Sequence, residues 1–400
     1  MRPLDKKQRI VHMRRPWRLR WVDKNRVDVT HVACGNGFSL IAASGTLSHK
    51  AHQLFGTGIN TDSQVGVHQV AKSDYLKYVI QPARIDLPFT LEQSASLRIL
   101  DVACGRAHSV VLTNHGIVTF GNNSYGQCAR PIVDNEEYSA NPAVVQEVSK
   151  HVELESGDDD QVVAVKAGQD HTCLLTQHGR VYTCGWSADG QLGQNIYTLN
   201  WKPTRVGGEL KGVRVKQIET RGDFNVALSD EGELFGWGNN EYSQLAMTGT
   251  REPQLGEPRH LKVPAFVKRP IVSVAVSGTH CMALDSNNQV WVWGYGLLGR
   301  GPKCEETKEP LNIPETLFGR YKELAHTMTR KIRLIKCGLN SSAVALDDGS
   351  LYMWGKNRYG SLGLGEKIDA YFPLRVTIPA SAYKIDCGPD HTFAVCKTFL

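Results

Sequence analysis

Adjacent acid and imidazole side chains recur along this 400-residue chain, as Asp170–His171 and Asp390–His391. Such a pair is a common arrangement for proton transfer in an active site. The histidines, however, occupy one place in a recurring pattern, as His108, His171, His280 and His391. Because the same position in four of the units suits a role in the fold, we expect each buried ring to hydrogen-bond a nearby backbone group.

Other motifs of covalent chemistry are missing from the sequence. It contains no phosphate-binding loop, no His-Glu-x-x-His and no Gly-x-Ser-x-Gly. The ten cysteines include no Cys-x-x-Cys pair, and Cys34, Cys104, Cys337 and Cys387 recur at one position as small core residues do. We therefore predict that the protein is not an enzyme and has no catalytic residue, no metal site, no cofactor and no small-molecule substrate.

A repeated segment organises the chain. "VACGRAHSVVLTNHGIVTFGNNSYGQCA" from Val102 aligns with "VKAGQDHTCLLTQHGRVYTCGWSADGQLG" from Val165 and with further segments. Short apolar runs within each unit are separated by "NHG", "QHG", "DEG" or "DDG", which predicts antiparallel hairpins. The glycines that mark the seven units are Gly35, Gly105, Gly168, Gly222, Gly278, Gly338 and Gly388.

These repeats predict an all-β fold, a seven-bladed β-propeller over residues 30–400. Radial packing covers the faces of modules that are too small to be stable alone. The last unit has no second half, so its blade is expected to be incomplete. Either strands within residues 1–29 close the ring, or a segment upstream of this chain does so, and the sequence favours the second alternative.

Residues 1–29 form a basic N-terminal segment, interpreted as partly blade-closing or flexible. Its first 21 residues hold eight Lys or Arg against one Asp, within a chain of net charge +6. Both a mitochondrial presequence and a solvated basic flank fit this composition. No apolar stretch approaches the roughly 20 residues of a membrane-spanning helix, so membrane association is expected only through partners.

The residues between the marker glycine and the histidine position vary from unit to unit. Because loops at one end of a propeller carry recognition, these residues are binding candidates, although acids there could equally cap the loops. They are Arg106, Asp170, Asp223, Thr279, Asn340 and Asp390.

The pattern Cys-Gly-x-x-His-[Ser/Thr], Gly-x-[Val/Leu]-[Tyr/Phe]-x-x-Gly and Asn-x-x-Gly-Gln-Leu-Gly resembles the regulator of chromosome condensation repeat, over about residues 30–400. Stretches such as "GNNSYGQC", "WGYGLLGRGP" and "IPETLFG" are similar to the mitochondrial branch of that family. The resemblance implies a guanine-nucleotide exchange factor that stabilises the nucleotide-free state of a GTPase. It also implies a mitochondrial location, in the matrix or at the inner membrane.

The dynamin-like GTPase of inner-membrane fusion is the partner that this resemblance suggests. The residues carried over as GTPase contacts are Arg106, His108, Asp170, His171, Asp223, His280, Asp390 and His391. The alternative implied by the same resemblance is a non-catalytic scaffold in assembly of the mitochondrial ribosomal large subunit, which binds ribosomal RNA or assembly GTPases.

Overall fold

The computed structural model describes residues 13–45, 51–71, 74–155, 159–245, 252–321 and 330–398. Over these ranges the protein consists of antiparallel sheets that are arranged around an axis. The first strand of each sheet contacts the first strands of its two neighbours, so these innermost strands line the axis. No helix within these ranges is both long enough and apolar enough to cross a bilayer.

Four-stranded sheets form the blades, and the strands of each blade follow one another from the axis outward. The first three are β1 (Val27–Cys34), β2 (Phe38–Gly45), β3 (His52–Ile59) and β6 (Tyr78–Ile85); β7 (Ile99–Cys104), β8 (His108–Thr113), β9 (Gly116–Gly121) and β10 (Gln146–Glu147); β11 (Val162–Ala167), β12 (His171–Thr176), β13 (Val181–Gly185) and β14 (Asn200–Arg205). The next three are β15 (Val215–Thr220), β16 (Phe224–Ser229), β17 (Leu234–Asn239) and β18 (Gln254–His260); β19 (Ile271–Val276), β20 (His280–Asp285), β21 (Val290–Tyr295) and β22 (Glu306–Asn312); β23 (Ile332–Cys337), β24 (Ser341–Leu346), β25 (Leu351–Gly355) and β26 (Ala370–Val376).

Smaller elements complete the described chain. A small hairpin pairs β4 (Gln69–Ala71) with β5 (Asp74–Tyr75), and a two-stranded sheet pairs β27 (Ala380–Cys387) with β28 (Thr392–Thr398). Two short α-helices are α1 (Arg20–Asn25) and α2 (Leu91–Ala95). Single 3₁₀ turns lie at Pro142–Val144, Ser149–His151, Gly208–Leu210, Pro264–Phe266 and Glu315–Phe318.

The prediction of seven blades is wrong: within the described residues there are six four-stranded blades. Among those residues the seventh repeat contributes β27 and β28, since a single strand follows Gly388. β27 contacts β1 on one side and β23 on the other. The two-stranded sheet therefore lies between the first and sixth blades.

The predicted hairpins are confirmed. β12 pairs with β13 and β16 with β17 in antiparallel register. The tight turns between them use Gly179 at φ 78° and Gly232 at φ 85°, a left-handed conformation that glycine adopts without steric cost. Every residue of β8, β12, β16, β20 and β24 is buried, as expected for short apolar runs covered on both faces.

Tryptophan side chains pack between blades, and the recurring cysteines are small core residues, as their repeated position predicted. Trp237, Trp293 and Trp354 are fully buried. The indole Nε1 of Trp237 donates to the carbonyl oxygen of Gln191, 3.1 Å away in the preceding blade's loop. The recurring cysteines are buried free thiols: Cys34, Cys104, Cys337 and Cys387.

Residues 13–25 contact both the sixth blade and the first blade. The amide of Gly365 in the sixth blade donates to the carbonyl oxygen of Arg14 at 2.7 Å. Further along, the Trp21 ring packs edge-on against Phe55 of the first blade, with ring centroids 4.6 Å apart. Residues 1–12 lie outside the described residues.

One arginine spans the axis. Arg221, which follows β15, donates from Nη1 to the carbonyl oxygen of Cys34 at 2.9 Å and from Nη2 to Asp386 Oδ1 at 3.1 Å and to the carbonyl oxygen of Cys387. Asp386 Oδ2 also accepts the backbone amide of Cys34 at 2.6 Å. The fourth blade is thus tied directly to the first blade and to the two-stranded sheet.

Arg221→Met is expected to lower the free energy of unfolding by about 3 kcal/mol, because it leaves the mostly buried Asp386 carboxylate without its cation. Guanidinium unfolding curves measure the change. The matched control is Arg214→Met, which removes an exposed ion pair with Asp230 and should cost at most about 0.5 kcal/mol. Equal losses in the two variants would show that the axial arginine does not hold the ring.

Candidate functional site

Two ends of the propeller are distinguished by their loops. The segment that joins the first and second strands of a blade lies beside the segment after its third strand, because His171 at the start of β12 pairs with Gly185 at the end of β13. We call this end the loop face. The opposite end, which carries the hairpin turns such as 177–180 and 230–233, is the turn face.

Neighbouring loops on the loop face are joined by backbone hydrogen bonds. The amide of Arg106 donates to the carbonyl oxygen of Gln169 at 2.9 Å, and the amide of Gln169 donates to that of Gly222 at 3.2 Å. The second, third and fourth blades are therefore fixed relative to one another at this point. Side chains on these loops are held in place by the fold itself.

Arg106 and Asp170 form a bidentate ion pair across two blades. The distances are 3.2 Å from Nε to Oδ1 and 2.6 Å from Nη2 to Oδ2. The Asp170 side chain is largely buried, whereas that of Arg106 is 47% exposed. Burial raises the pKa of Asp170, and the guanidinium opposes that shift.

Asp223 lies next to this pair and adds a second carboxylate. Gln169 Nε2 donates to its Oδ2 at 3.3 Å, and Gln191 Nε2 to its Oδ1 at 3.5 Å. Burial, followed by the charges of Asp189 and Asp170, raises the pKa of Asp223 to about 6. Burial also raises the pKa of Asp189. Asp170 and Asp223 thus lie near the guanidinium of Arg106, and Asp189 lies near Asp223. We call these three carboxylates the acidic cluster (Asp170, Asp189, Asp223).

His108, His171 and His280 do not reach the surface. Their rings are buried between blades, and each Nε2 lies near a side chain of the next blade: Thr172 Oγ1 at 3.1 Å, Asn225 Oδ1 at 2.9 Å and Ser342 Oγ at 2.9 Å, respectively. The expected partner, a backbone group, is therefore replaced by a hydroxyl or amide side chain. Burial lowers the pKa to about 3 for His108 and about 4 for His171 and His280, so these rings are neutral at pH 7.

Asp390 and His391 form a separate pair in the two-stranded sheet. His391 Nδ1 lies 2.7 Å from Asp390 Oδ1, and its Nε2 lies 2.6 Å from Ser39 Oγ in the first blade. Burial lowers the pKa of His391, but Cys34 and Asp390 outweigh burial and raise it. The structure thus brings Arg106, Asp170 and Asp223 together, whereas Asp390 and His391 contact the first blade.

Sequence reasoning missed the residues that follow the third strands. Asp189 and Gln191 belong to the "WSADGQLG" loop, next to Trp186, whose ring lies 4.7 Å from that of Tyr125. Tyr242 and Tyr295 stack at 5.7 Å, and each is more than 40% exposed. A signal was present, because one repeat position carries Tyr125, Tyr242 and Tyr359.

Within the described ranges, no three His, Cys, Asp or Glu side chains gather as around a metal ion.

Comparison with known proteins identifies the family. The model of the RCC1-like domain matches residues 53–399. The chain belongs to the RCC1-like family. This result confirms the resemblance to the regulator of chromosome condensation repeat.

Relatives of this RCC1-like chain are found among both sequences and structures. The human "RCC1-like G exchanging factor-like protein" is 42% identical over 388 residues, which are 96% of this chain and 79% of that protein. The crystal structure of human WBSCR16 has a TM-score of 0.83 at 41% identity and covers 93% of this chain and 87% of that one. Prp20p of Saccharomyces cerevisiae, with a TM-score of 0.75 at 17% identity over 100% of this chain and 88% of that one, shows the same fold.

The buried histidines predict an acid-sensitive fold. An unfolded histidine has a pKa of about 6.5, whereas the folded pKa is about 4 for His171. Between these values the unfolded chain binds a proton that the folded chain does not, so the free energy of unfolding falls as the pH falls from about 6.5 to about 4. His171→Phe, which copies Phe224 of the next blade, should make that slope shallower by about 1.4 kcal/mol per pH unit.

Denaturant unfolding at several pH values between 4 and 8 measures both slopes. Between pH 7 and 8 the imidazole is neutral in both states, so His171→Phe and the unsubstituted protein should show the same slope there. Parallel curves over the acid range would refute the assignment of a neutral buried His171.

Proposed function

We propose that this chain is a guanine-nucleotide exchange factor for a mitochondrial GTPase, which it binds through the loop face. The observation that carries the proposal is the acidic cluster, in which carboxylates of the third and fourth blades are held by a rigid set of loops. Relatives support it, since the human protein at 42% identity is named a G exchanging factor-like protein. A mitochondrial location is part of the proposal, and RUG3 of Arabidopsis thaliana, 28% identical over 70% of this chain and 58% of that protein, is named mitochondrial.

Exchange of this kind requires no bond to be made or broken in the protein. A factor that binds the empty GTPase more tightly than the loaded one must, by reciprocal linkage, weaken nucleotide binding by the same factor. The phosphate-binding loop of a GTPase carries a lysine that contacts the nucleotide phosphates. A carboxylate of the acidic cluster would compete with the phosphates for that ammonium group, and the nucleotide would then dissociate faster.

Asp170 is the carboxylate that we assign to this contact, with Asp223 beside it. The bidentate contact with Arg106 already fixes the orientation of the Asp170 carboxylate. The exposed guanidinium of Arg106 can turn outward when a partner's cation arrives. Asp223, with a pKa of about 6, adds negative charge at neutral pH. His108, His171 and His280 contribute indirectly, because they hold the blades that carry these loops.

Exposed aromatic side chains give the loop face the contact area that a partner needs. Tyr242 and Tyr295 stack on each other at the surface, and Tyr359 is exposed on the equivalent loop of the sixth blade. Tyrosine and tryptophan are enriched at protein interfaces, where they contribute much of the binding energy.

We propose the dynamin-like GTPase of inner-membrane fusion, which the family resemblance suggests, as the partner.

Asp170→Asn is expected to slow GDP release from the partner GTPase by at least about tenfold, because it removes a charge-assisted contact worth roughly 1.5–3 kcal/mol. The partner is first captured from mitochondrial matrix extract on immobilised protein, with EDTA or with magnesium and excess GTP. Release of a fluorescent GDP analogue from the purified GTPase is then measured.

The matched control is Asp230→Asn, which alters an exposed carboxylate on the turn face and should leave exchange unchanged. A GTPase that is retained only without nucleotide, and is lost with Asp170→Asn, fits the proposal. Capture of ribosomal large-subunit components regardless of nucleotide would contradict exchange as the main role.

A scaffold in assembly of the mitochondrial ribosomal large subunit is the second candidate. Arg14, Arg15, Arg18 and Arg20 are all exposed on the segment that lies between the sixth and first blades. Such a run of guanidinium groups can bind the phosphates of ribosomal RNA, and binding through phosphates weakens steeply with salt. This basic surface lies apart from the acidic cluster and carries the opposite charge.

Replacement of Arg14, Arg15 and Arg18 by Gln should lower the affinity for ribosomal RNA and reduce the salt slope by about 2, since roughly 0.7 counterions are released per phosphate of a single strand. Filter binding across a range of salt concentrations gives this slope. Asp170→Asn serves as the control and should leave it unchanged. An RNA affinity that does not respond to the arginine replacements would remove the support for the scaffold.

A further inference from the structure

A cavity of about 280 Å³ lies on the propeller axis. It is lined by the innermost strands and extends from Arg221 toward the turn face, because its lining includes strand residues that precede the loop-face segments, such as His31, Leu334 and Lys384. A separate pocket of about 40 Å³ lies on the other side of Arg221, among the loop-face residues Gly105, Gly168 and Gln169. The larger cavity is therefore distinct from the acidic cluster.

Two lysines from different blades share one carboxylate in this cavity. Lys166 Nζ of the third blade lies 3.1 Å from Glu219 Oε1, and Lys336 Nζ of the sixth blade lies 3.7 Å from the same oxygen. Burial raises the pKa of Glu219, but Lys166 and Lys336 outweigh it and lower the pKa to about 2. The carboxylate is thus fully ionised, and it neutralises only one of the two ammonium groups.

Hydrogen bonding at the two ammonium groups is unequal. Glu219 Oε1 also accepts from Gln217 Nε2 at 3.1 Å, so this oxygen is already shared by several donors. The 3.7 Å separation of Lys336 is an ion pair beyond hydrogen-bonding distance, and no hydrogen bond of its ammonium group to another described residue is found. Lys336 therefore has N–H donors free to bind a ligand in the cavity.

The other charged groups of the lining are already engaged. The guanidinium of Arg221 is used by Asp386 and two backbone carbonyls, Asp101 accepts the amide of Val165 at 3.1 Å, and Lys384 donates to the carbonyl oxygen of Thr30. The lining thus holds four cations, Lys166, Arg221, Lys336 and Lys384, against three carboxylates, Asp101, Glu219 and Asp386. Burial and the charge of Lys384 lower the pKa of His31, which leaves that ring neutral at pH 7.

We propose that the axial cavity is a binding site for one small oxyanion, held by Lys336 and Lys166. An uncompensated positive charge in a partly enclosed cavity is unfavourable, and one monoanion balances the lining. Charge-assisted hydrogen bonds from an ammonium group favour carboxylate or phosphate oxygens. The volume is just below the range of small-molecule sites, which span about 300–1,000 Å³, so the ligand is the size of inorganic phosphate or a short carboxylic acid.

Equilibrium dialysis with radiolabelled inorganic phosphate, and in parallel with radiolabelled acetate, tests this site at fixed ionic strength. We expect one anion to bind per chain, and the arm with the higher affinity identifies the class of oxyanion. Lys336→Met should weaken binding at least tenfold, and Lys336→Arg, which keeps the charge, should restore most of it. The matched control is Lys216→Met, because Lys216 is exposed and its ammonium group lies 3.4 Å from the carbonyl oxygen of Asp230.

Thermal unfolding of each variant confirms that it is folded before binding is compared. Binding that is lost in Lys336→Met, kept in Lys216→Met and restored in Lys336→Arg supports the site. The proposal is overturned if neither anion binds the unsubstituted protein at millimolar concentration, or if Lys336→Met binds as well as the unsubstituted protein does.

Discussion

The close approach of the marker glycines around the axis is the constraint on which the structure depends. A methyl group at Gly105 would lie 2.8 Å from the carbonyl oxygen of Gly168, and one at Gly168 would lie 2.8 Å from that of Gly222. No side chain fits between backbones at that separation. The spacing of the innermost strands is therefore fixed by glycine, and with it the width of the axial cavity and the hydrogen bonds that join Arg106, Gln169 and Gly222.

Stability and the candidate site share the same loops. In the third blade the buried ring of His171 bonds the fourth blade through Asn225, while the preceding residue, Asp170, reaches back to Arg106 of the second blade. The two adjacent side chains thus point toward opposite neighbouring blades, as alternation along an extended chain requires. A change that loosens the contact between blades also displaces the carboxylate, so the position of the acidic cluster depends on the packing beneath it.

Local patterns made much of the fold predictable. Strands, hairpin turns and buried cysteines follow from residues close in sequence, and the apolar runs and turn glycines repeat in every unit. The blade count was wrong because the marker glycines count repeats, whereas the last repeat, whose missing second half the sequence did show, forms a two-stranded sheet and not a blade. Asp189 was missed because it joins Asp223 only through folding of two different blades. Arg221 did carry a signal, since Cys, Ala or Ser precedes the marker glycine in the other units.

Arg221 also separates two regions of opposite charge. On one side lie the carboxylates of the loop face, and on the other lies the axial cavity with its excess of lysine. Because the guanidinium is saturated by Asp386 and the carbonyl oxygens of Cys34 and Cys387, it lends little charge to either side. The same bonds connect the fourth blade to the first blade and to β27. The innermost ring is therefore held across its centre as well as around its circumference.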